Sequence, residues 1–221
     1  MDSNYSTLLQ LPLFQGLSKS EVTDILGKVQ MNFSKHKAGD TLCRQGAPCG
    51  ELLFILNGTV ASYVSSENEL YSVTEFFEAP YLIEMNSMFG LDTCYIGTYT
   101  ARTAVSTVSV SKEWVLHELL EYEIFRLNYI SVSNYRVKNY RQRLWQSIPF
   151  TGEERIKQFI LLHTERPEGE KHIKIKMSTL GDLLNISRVH VSALLNGMQK
   201  AGLIELHRGI IVVPDAAKLL A

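Results

Sequence analysis

The sequence predicts an α+β protein: an antiparallel β domain, one long helix, and a C-terminal winged helix-turn-helix. Three observations lead there. From Gln30 to Val110 the chain runs in short β-type segments punctuated by glycine and asparagine, which is the texture of a sandwich or barrel. From Glu123 to Trp145 it continues for roughly six helical turns without a proline or glycine. From Leu180 to Val213 two short helical patterns are followed by two short strand patterns.

In chain order, LLQLPLFQGLSKSEVTDILGKV holds a short helical signal, a Pro-Leu-Phe turn and a helix capped at Ser18. Glu21 follows that serine at the spacing of a capping box. The strand runs are DTLCR, ELLFILNGTVASYVS, LYSVTEFF and TYTARTAVSTVSVS. Asn57-Gly58 is a tight-turn signal between two apolar strands, and Gly39-Asp40 and Gly46 mark further turns. Helical texture resumes at Lys112. In the long helix Ile124, Leu127, Ile130, Asn134, Val137, Arg141 and Leu144 recur at spacings of three and four. Such a stripe needs a partner, either a second copy or the chain's own β domain, and Asn134 can set register between two helices. SIPFTGEE, from Ser147 to Glu154, is the expected hinge, with Pro149 ending the helix. The expected domains are residues 1–112, 113–147 and 148–221.

The C-terminal stretch carries the functional signal. Leu180, Leu183 and Leu184 share one helical face, with Ser178 placed to cap its start. Asn185 tolerates the left-handed conformation that ends a helix sharply. Ser187 can cap a second helix in which Val191, Leu194, Leu195 and Met198 face inward. Its outward residues are Arg188, Val189, His190, Ser192, Ala193 and Asn196. Alone, the two helices could be a hairpin in another core. However, Gly202 ends the second helix, and LIELHRGIIVV reads as two strands joined at His207-Arg208-Gly209. A hairpin directly after a recognition helix is a wing, and its basic tip suits phosphate. The second helix of such a motif enters the major groove of DNA, where Arg188 can meet a guanine edge.

Composition agrees without deciding. The chain has 221 residues, 45% hydrophobic and 20% charged, with a formal net charge of −1. Residues 1–150 hold 12 basic against 15 acidic side chains, and residues 151–221 hold 10 against 8. That is a mild C-terminal bias towards a polyanion. Three cysteines without paired spacing, no signal peptide and no apolar run near about 18 residues point to a cytoplasmic protein with no membrane partner. No Walker loop, nucleophile elbow, His-Glu-x-x-His or Rossmann glycine pattern is present, so nothing indicates an enzyme or a metal site.

PLFQGLS, KAGDTLCRQGAPCGELLFILNGTVASY and TARTAVSTVSVSKEWV, followed in order by LGDLLNISRVHVSALLNGMQKAGLI and the wing, resemble the CRP/FNR superfamily of bacterial transcriptional regulators. The resemblance implies a β-roll sensor and a homodimer formed through the long helix. It also implies a two-fold related site on double-stranded DNA, RNA polymerase as a partner, and control by a small-molecule or gas effector bound in the β-roll. DNA contacts would come from Ser187, Arg188, Val189, His190, Ser192, Ala193, Asn196, His207 and Arg208. The dimer seam would use Ile124, Leu127, Ile130, Asn134, Val137 and Leu144. Where the superfamily pattern has Arg-Glu and a second Arg one turn later on the recognition helix, this chain keeps Arg188 but has Val189 and Ala193.

The effector cassette departs from that of cyclic-nucleotide binders, where a Gly-Glu-Leu turn and an Arg-Ser or Arg-Thr pair hold ribose and phosphate. In YLIEMNSMFG, Glu84 is kept but Ile83 replaces the glycine. Tyr95 and Ile96 stand at the Arg-Ser pair, and Arg102 is expected in the following strand as a solvated charge. Cyclic AMP is therefore not the expected effector, although Tyr95, Tyr99, Tyr140 and Arg141 would still surround the position with Glu84 and Ile96. Haem is one cofactor the resemblance allows, with His36, His117, Cys43, Cys49, Cys94 or a methionine as axial ligand; no basic residue is arranged to activate a thiol. The competing function is a β-roll sensor whose C-terminal domain docks a protein instead of DNA.

Overall fold

A computed structural model describes residues 8–145 and 149–220. The chain divides into two compact units. One comprises the chain up to Val60 together with Phe77–Asn139, the other Ala61–Phe76 together with the chain from Tyr140 onward. The division does not follow a single cut along the sequence.

The first unit opens with α1 (Lys19–Lys28), whose capping box between Ser18 and Glu21 is present as expected. Its main sheet is antiparallel in the order β1 (Asn32–His36), β8 (Val105–Ser111), β3 (Glu51–Asn57), β6 (Tyr81–Ile83). A second pair joins β2 (Thr41–Cys43) to β7 (Thr98–Ala101). Leu52, Leu53, Phe54 and Ile55 are all buried, so β3 is covered on both faces. Phe14 packs edge-on against Phe54 and Phe125, tying the N-terminal segment and the long helix to the same core. Asn57-Gly58 makes the expected turn, but it is no hairpin: β4 (Thr59–Ser65) lies in a different sheet from β3. Gly58 sits at φ +91°, and a Cβ there would stand 2.3 Å from the Ala104 carbonyl.

Helix α2 (Lys112–His117) is capped by Ser111. The long helix α3 spans Glu123–Leu144. One face of it is committed to the β domain. Phe125 is buried, Asn128 donates to the carbonyls of Leu13 and Gln15, Tyr129 donates to the Met85 carbonyl at 2.7 Å, and Arg136 donates to Asn86 and the Leu82 carbonyl. None of these four lies on the stripe of residues at spacings of three and four.

The second unit is a sheet backed by three helices. Strand order is β10 (Glu205–His207), β11 (Ile210–Val213), β9 (Lys171–Ile175), β5 (Tyr71–Glu78), β4. Strand β9 and helix α4 (Gly152–Leu162) were not anticipated. Helix α4 begins with a capping box between Thr151 and Glu154. The expected hinge lies partly outside the described residues. Helix α5 (Met177–Leu184) and helix α6 (Arg188–Lys200) form the helix-turn-helix. Asn185 adopts φ 54°, ψ 50° at the turn, and a Cβ on Gly181 would approach the Ile186 carbonyl to 2.6 Å. Only a residue without a side chain lets the turn close that tightly. One cap is corrected: α5 starts at Met177, so Ser178 lies in the first turn and Lys176, with no side-chain cap bond, holds the cap position. Ser187 does cap α6, accepting from the His190 amide, and Gly202 at φ +71° follows the helix as expected. The core joins Ile156, Ile160, Leu180, Val191, Leu195 and Met198 to Ile173, Ile211 and Val213, with Val73 from β5 among them.

Candidate functional site

Helix α6 turns Val191, Leu195 and Met198 inward and leaves Arg188, Val189, His190, Ala193 and Asn196 exposed, with Ser192 half-buried and Val189 80% exposed. A single apolar stripe separates core from surface, and no acidic residue occurs on the helix. Arg188 is its first residue, where the helix dipole and the Ser187 cap leave a positive end. The wing turn places His207 and Arg208 on the surface. His207 lies 3.7 Å from the Glu205 carboxylate, so Arg208 is the wing's permanent cation. Between the start of α5, the start of α6 and the wing runs a groove of about 440 Å³ whose lining includes Lys176, Ser178, Arg188, Leu206, His207 and Gly209. Lys176 and Ser178 line this groove and were not among the contact residues expected from the sequence.

In the first unit the structure brings Glu84, Ile96 and Tyr99 together. The Glu84 carboxylate accepts from the Ile96 amide at 2.7 Å, the Gly97 amide at 2.9 Å and the Ser87 hydroxyl at 3.0 Å, with Tyr99 beside it. Burial pushes this carboxyl above its ordinary range, and those donors pull against the rise. Tyr95 is buried and bonded to Cys49, with burial the main cause of its raised pKa. Tyr99 is 1% exposed, so it is a core residue in this state. Arg102 is corrected: it stands exposed in the bend after β7, not within a strand. Tyr140 and Arg141 belong to the second unit, both exposed.

The haem candidates show no shared arrangement. His36 meets the Thr107 hydroxyl at 3.2 Å, and His117 is exposed. Burial raises Cys43 to about 12 and raises Cys49 as well, which opposes the thiolate that ligation or redox chemistry needs. Among the described residues no group of three or more His, Cys, Asp or Glu side chains could hold a metal ion, and no helix is long and apolar enough to cross a membrane.

On α3 the residues Leu127, Ile130, Asn134, Val137, Arg141 and Leu144 are all exposed, Val137 at 64% and Leu144 at 70%. Ile124 differs: it is half-buried and packs on its own β domain, close to Gly16.

Comparison with known proteins agrees with this geometry. The cyclic nucleotide-binding domain family matches residues 33–122, and the Crp-like helix-turn-helix domain family matches residues 154–221. The chain belongs to the CRP/FNR superfamily. It is thus a DNA-binding transcriptional regulator with a cyclic-nucleotide-binding-like sensor domain. Families of this kind are transcription factors and not enzymes. Among solved structures, the sensor domain of the transcriptional regulator DNR from Pseudomonas aeruginosa is 20% identical with a TM-score of 0.50, covering 66% of this chain and 99% of that one. The N-terminal domain of a transcriptional regulator from Streptomyces coelicolor A3(2) is 19% identical with a TM-score of 0.50, covering 66% and 98%. The Catabolite Activator Protein of Thermus thermophilus is 20% identical with a TM-score of 0.49, covering 95% and 96%. At these identities the first two show likeness of fold only. No curated protein matches the chain in sequence.

Proposed function

We propose that this regulator is a homodimer that reads a two-fold related DNA site with Arg188 and is controlled through its β-roll by an effector other than cyclic AMP. The observation that carries the DNA reading is the exposed, acid-free face of α6 beginning at Arg188, set beside a basic wing. Arg188 is suited to a bidentate contact with guanine, while Val189 and Ala193 offer only apolar contact, for instance to a thymine methyl. His190 and Asn196 are further contacts. The groove between α5, α6 and the wing suits the DNA backbone, with Lys176, Ser178, Ser187 and Arg208 as its phosphate partners. The exposed stripe on α3 suits a second copy, whose two-fold axis would set two recognition helices about one turn of DNA apart, roughly 34 Å. A β-roll signal that repositions the long helices would change that separation. RNA polymerase as a partner and a cytoplasmic site of action rest on the family alone.

Titration of Arg188→Ala and Arg208→Ala against a selected site and scrambled DNA at several salt concentrations tests this. Arg188→Ala should cost about 1–3 kcal/mol on the selected site and relax discrimination at one base pair per half-site. Arg208→Ala should weaken both DNAs alike and lower the salt slope by roughly one per subunit. Equal losses from Arg188→Ala on both DNAs would make Arg188 a phosphate contact. A chain that shifts no DNA at low salt would leave the protein-docking alternative.

A further inference from the structure

Glu84 is 6% exposed and is held by three neutral donors: two amides, from Ile96 and Gly97, and the Ser87 hydroxyl. The amides are successive and grip the two oxygens separately, Ile96 on Oε2 and Gly97 on Oε1, and successive N–H groups in such a bend make an anion nest. The nest lies in the loop before β7, whereas Glu84 follows β6, so the contact staples two segments twelve and thirteen residues apart. The Glu84 backbone sits at φ 27°, ψ 49°, a conformation that a residue with a side chain adopts only under compensation. The three donors supply it.

We propose that Glu84 is an internal ligand of the β-roll: its carboxylate fills the anion nest of Ile96 and Gly97, so the chain itself orders this loop and no external anion is required. The inference rests on reading the β-roll as the sensor, and it deepens that reading by excluding a class of effector. By the resemblance to cyclic-nucleotide binders, Ile96 stands where a phosphate would be met. An incoming phosphate must displace a tethered carboxylate, whose effective concentration is on the order of millimolar or higher. It gains no arginine from Tyr95 or Ile96 in return.

Removing the carboxylate should turn the nest into a site for the excised fragment, which is acetate. Thermal unfolding of the full chain is compared in acetate and in chloride of matched ionic strength. Acetate raises the midpoint of Glu84→Ala but not that of wild type or Glu84→Gln, whose carboxamide still fills the space. Equal effects on all three proteins overturn the proposal. Should Glu84→Ala not fold in either buffer, amide exchange decides. In wild type without added ligand, the Ile96 and Gly97 amides exchange at least roughly tenfold more slowly than in Glu84→Gln, and equal rates overturn the proposal. Millimolar cyclic AMP leaves the wild-type Ile96 and Gly97 amide resonances unmoved, and a specific shift of both on its addition would also overturn it. These measurements are made on the free protein, so a chain that fails to bind DNA removes the regulatory reading without touching the nest.

Discussion

Lys171 is the least expected residue in the molecule. Its side chain is fully buried on β9, opposite Glu75 on β5, with Nζ 2.9 Å from Oε1. Nζ also donates to the Glu168 carbonyl at 2.7 Å, and the second Glu75 oxygen accepts from the Glu165 amide at 2.7 Å. Burial pushes the Glu75 carboxyl up, and Lys171 is the largest influence holding it down. Such a pair contributes little relative to a well-packed apolar pair, but losing one partner leaves a buried charge unmatched. Lys171→Met should therefore cost about 3–5 kcal/mol, and Glu75→Gln combined with Lys171→Met should recover part of that loss. Urea unfolding of the two single variants and the double variant measures the coupling. Additive losses would mean that the two side chains do not depend on each other. The arrangement also explains why β9 was illegible. KHIKI alternates Lys171, Ile173 and Ile175 inward, and a lysine at an inward position conceals the period that marks a half-buried strand.

Elements with a strong local code were legible, and those whose code lies in a distant partner were not. Ser18 and Glu21, Asn185, Ser187 and Gly202 each act on backbone groups a few residues away, so α1 and the helix-turn-helix could be read directly. Asn57-Gly58 specifies a turn but not which strands pair across it, because pairing is decided by the whole sheet. The long helix was legible as a helix, but its two faces were not. Phe125, Tyr129 and Arg136 hold one face to the β domain, through contacts with residues 44 to 54 positions away for Tyr129 and Arg136. The stripe that remains, with Leu127 49% and Ile130 50% exposed and Val137 and Leu144 more so, is apolar surface that a second helix would cover. Leu127→Asp with Val137→Asp should convert the proposed dimer to monomer while leaving the fold intact, since neither side chain belongs to a core. Light scattering with circular dichroism checks both parts. A doubly substituted chain that stays dimeric would place the seam elsewhere.

At the scale of the whole molecule, the DNA-binding half is not a continuous piece of sequence. The family match begins at residue 154, yet β5, some eighty residues earlier and within the matched cyclic-nucleotide-binding segment, pairs with β9 from Tyr71 opposite Ile175 to Glu75 opposite Lys171. Val73 is 5% exposed inside the winged domain's core, and Tyr71 packs edge-on against Phe159 while its hydroxyl meets His163 Nε2 at 2.8 Å. Arg166 donates to the Phe76 carbonyl, and Arg143, near the end of α3, donates to the carbonyls of Leu161, Thr164 and Glu165 at the end of α4. Strand β5 is thus part of the wing sheet itself, and the end of α3 is tied to the end of α4. Cutting at the sequence boundary would strip β9 of one of its two neighbours, leaving an open strand edge and an uncovered apolar face, both of which favour aggregation. The fragment 149–221 should therefore unfold at lower urea than the intact chain, or associate through β9. The same fragment carrying residues 59–78 on a flexible linker should regain a cooperative transition, with a gain of a few kcal/mol, on the order of burying one or two apolar side chains. If the short fragment alone unfolds as late as the fused one, β5 only rests on the winged domain and adds nothing to its stability.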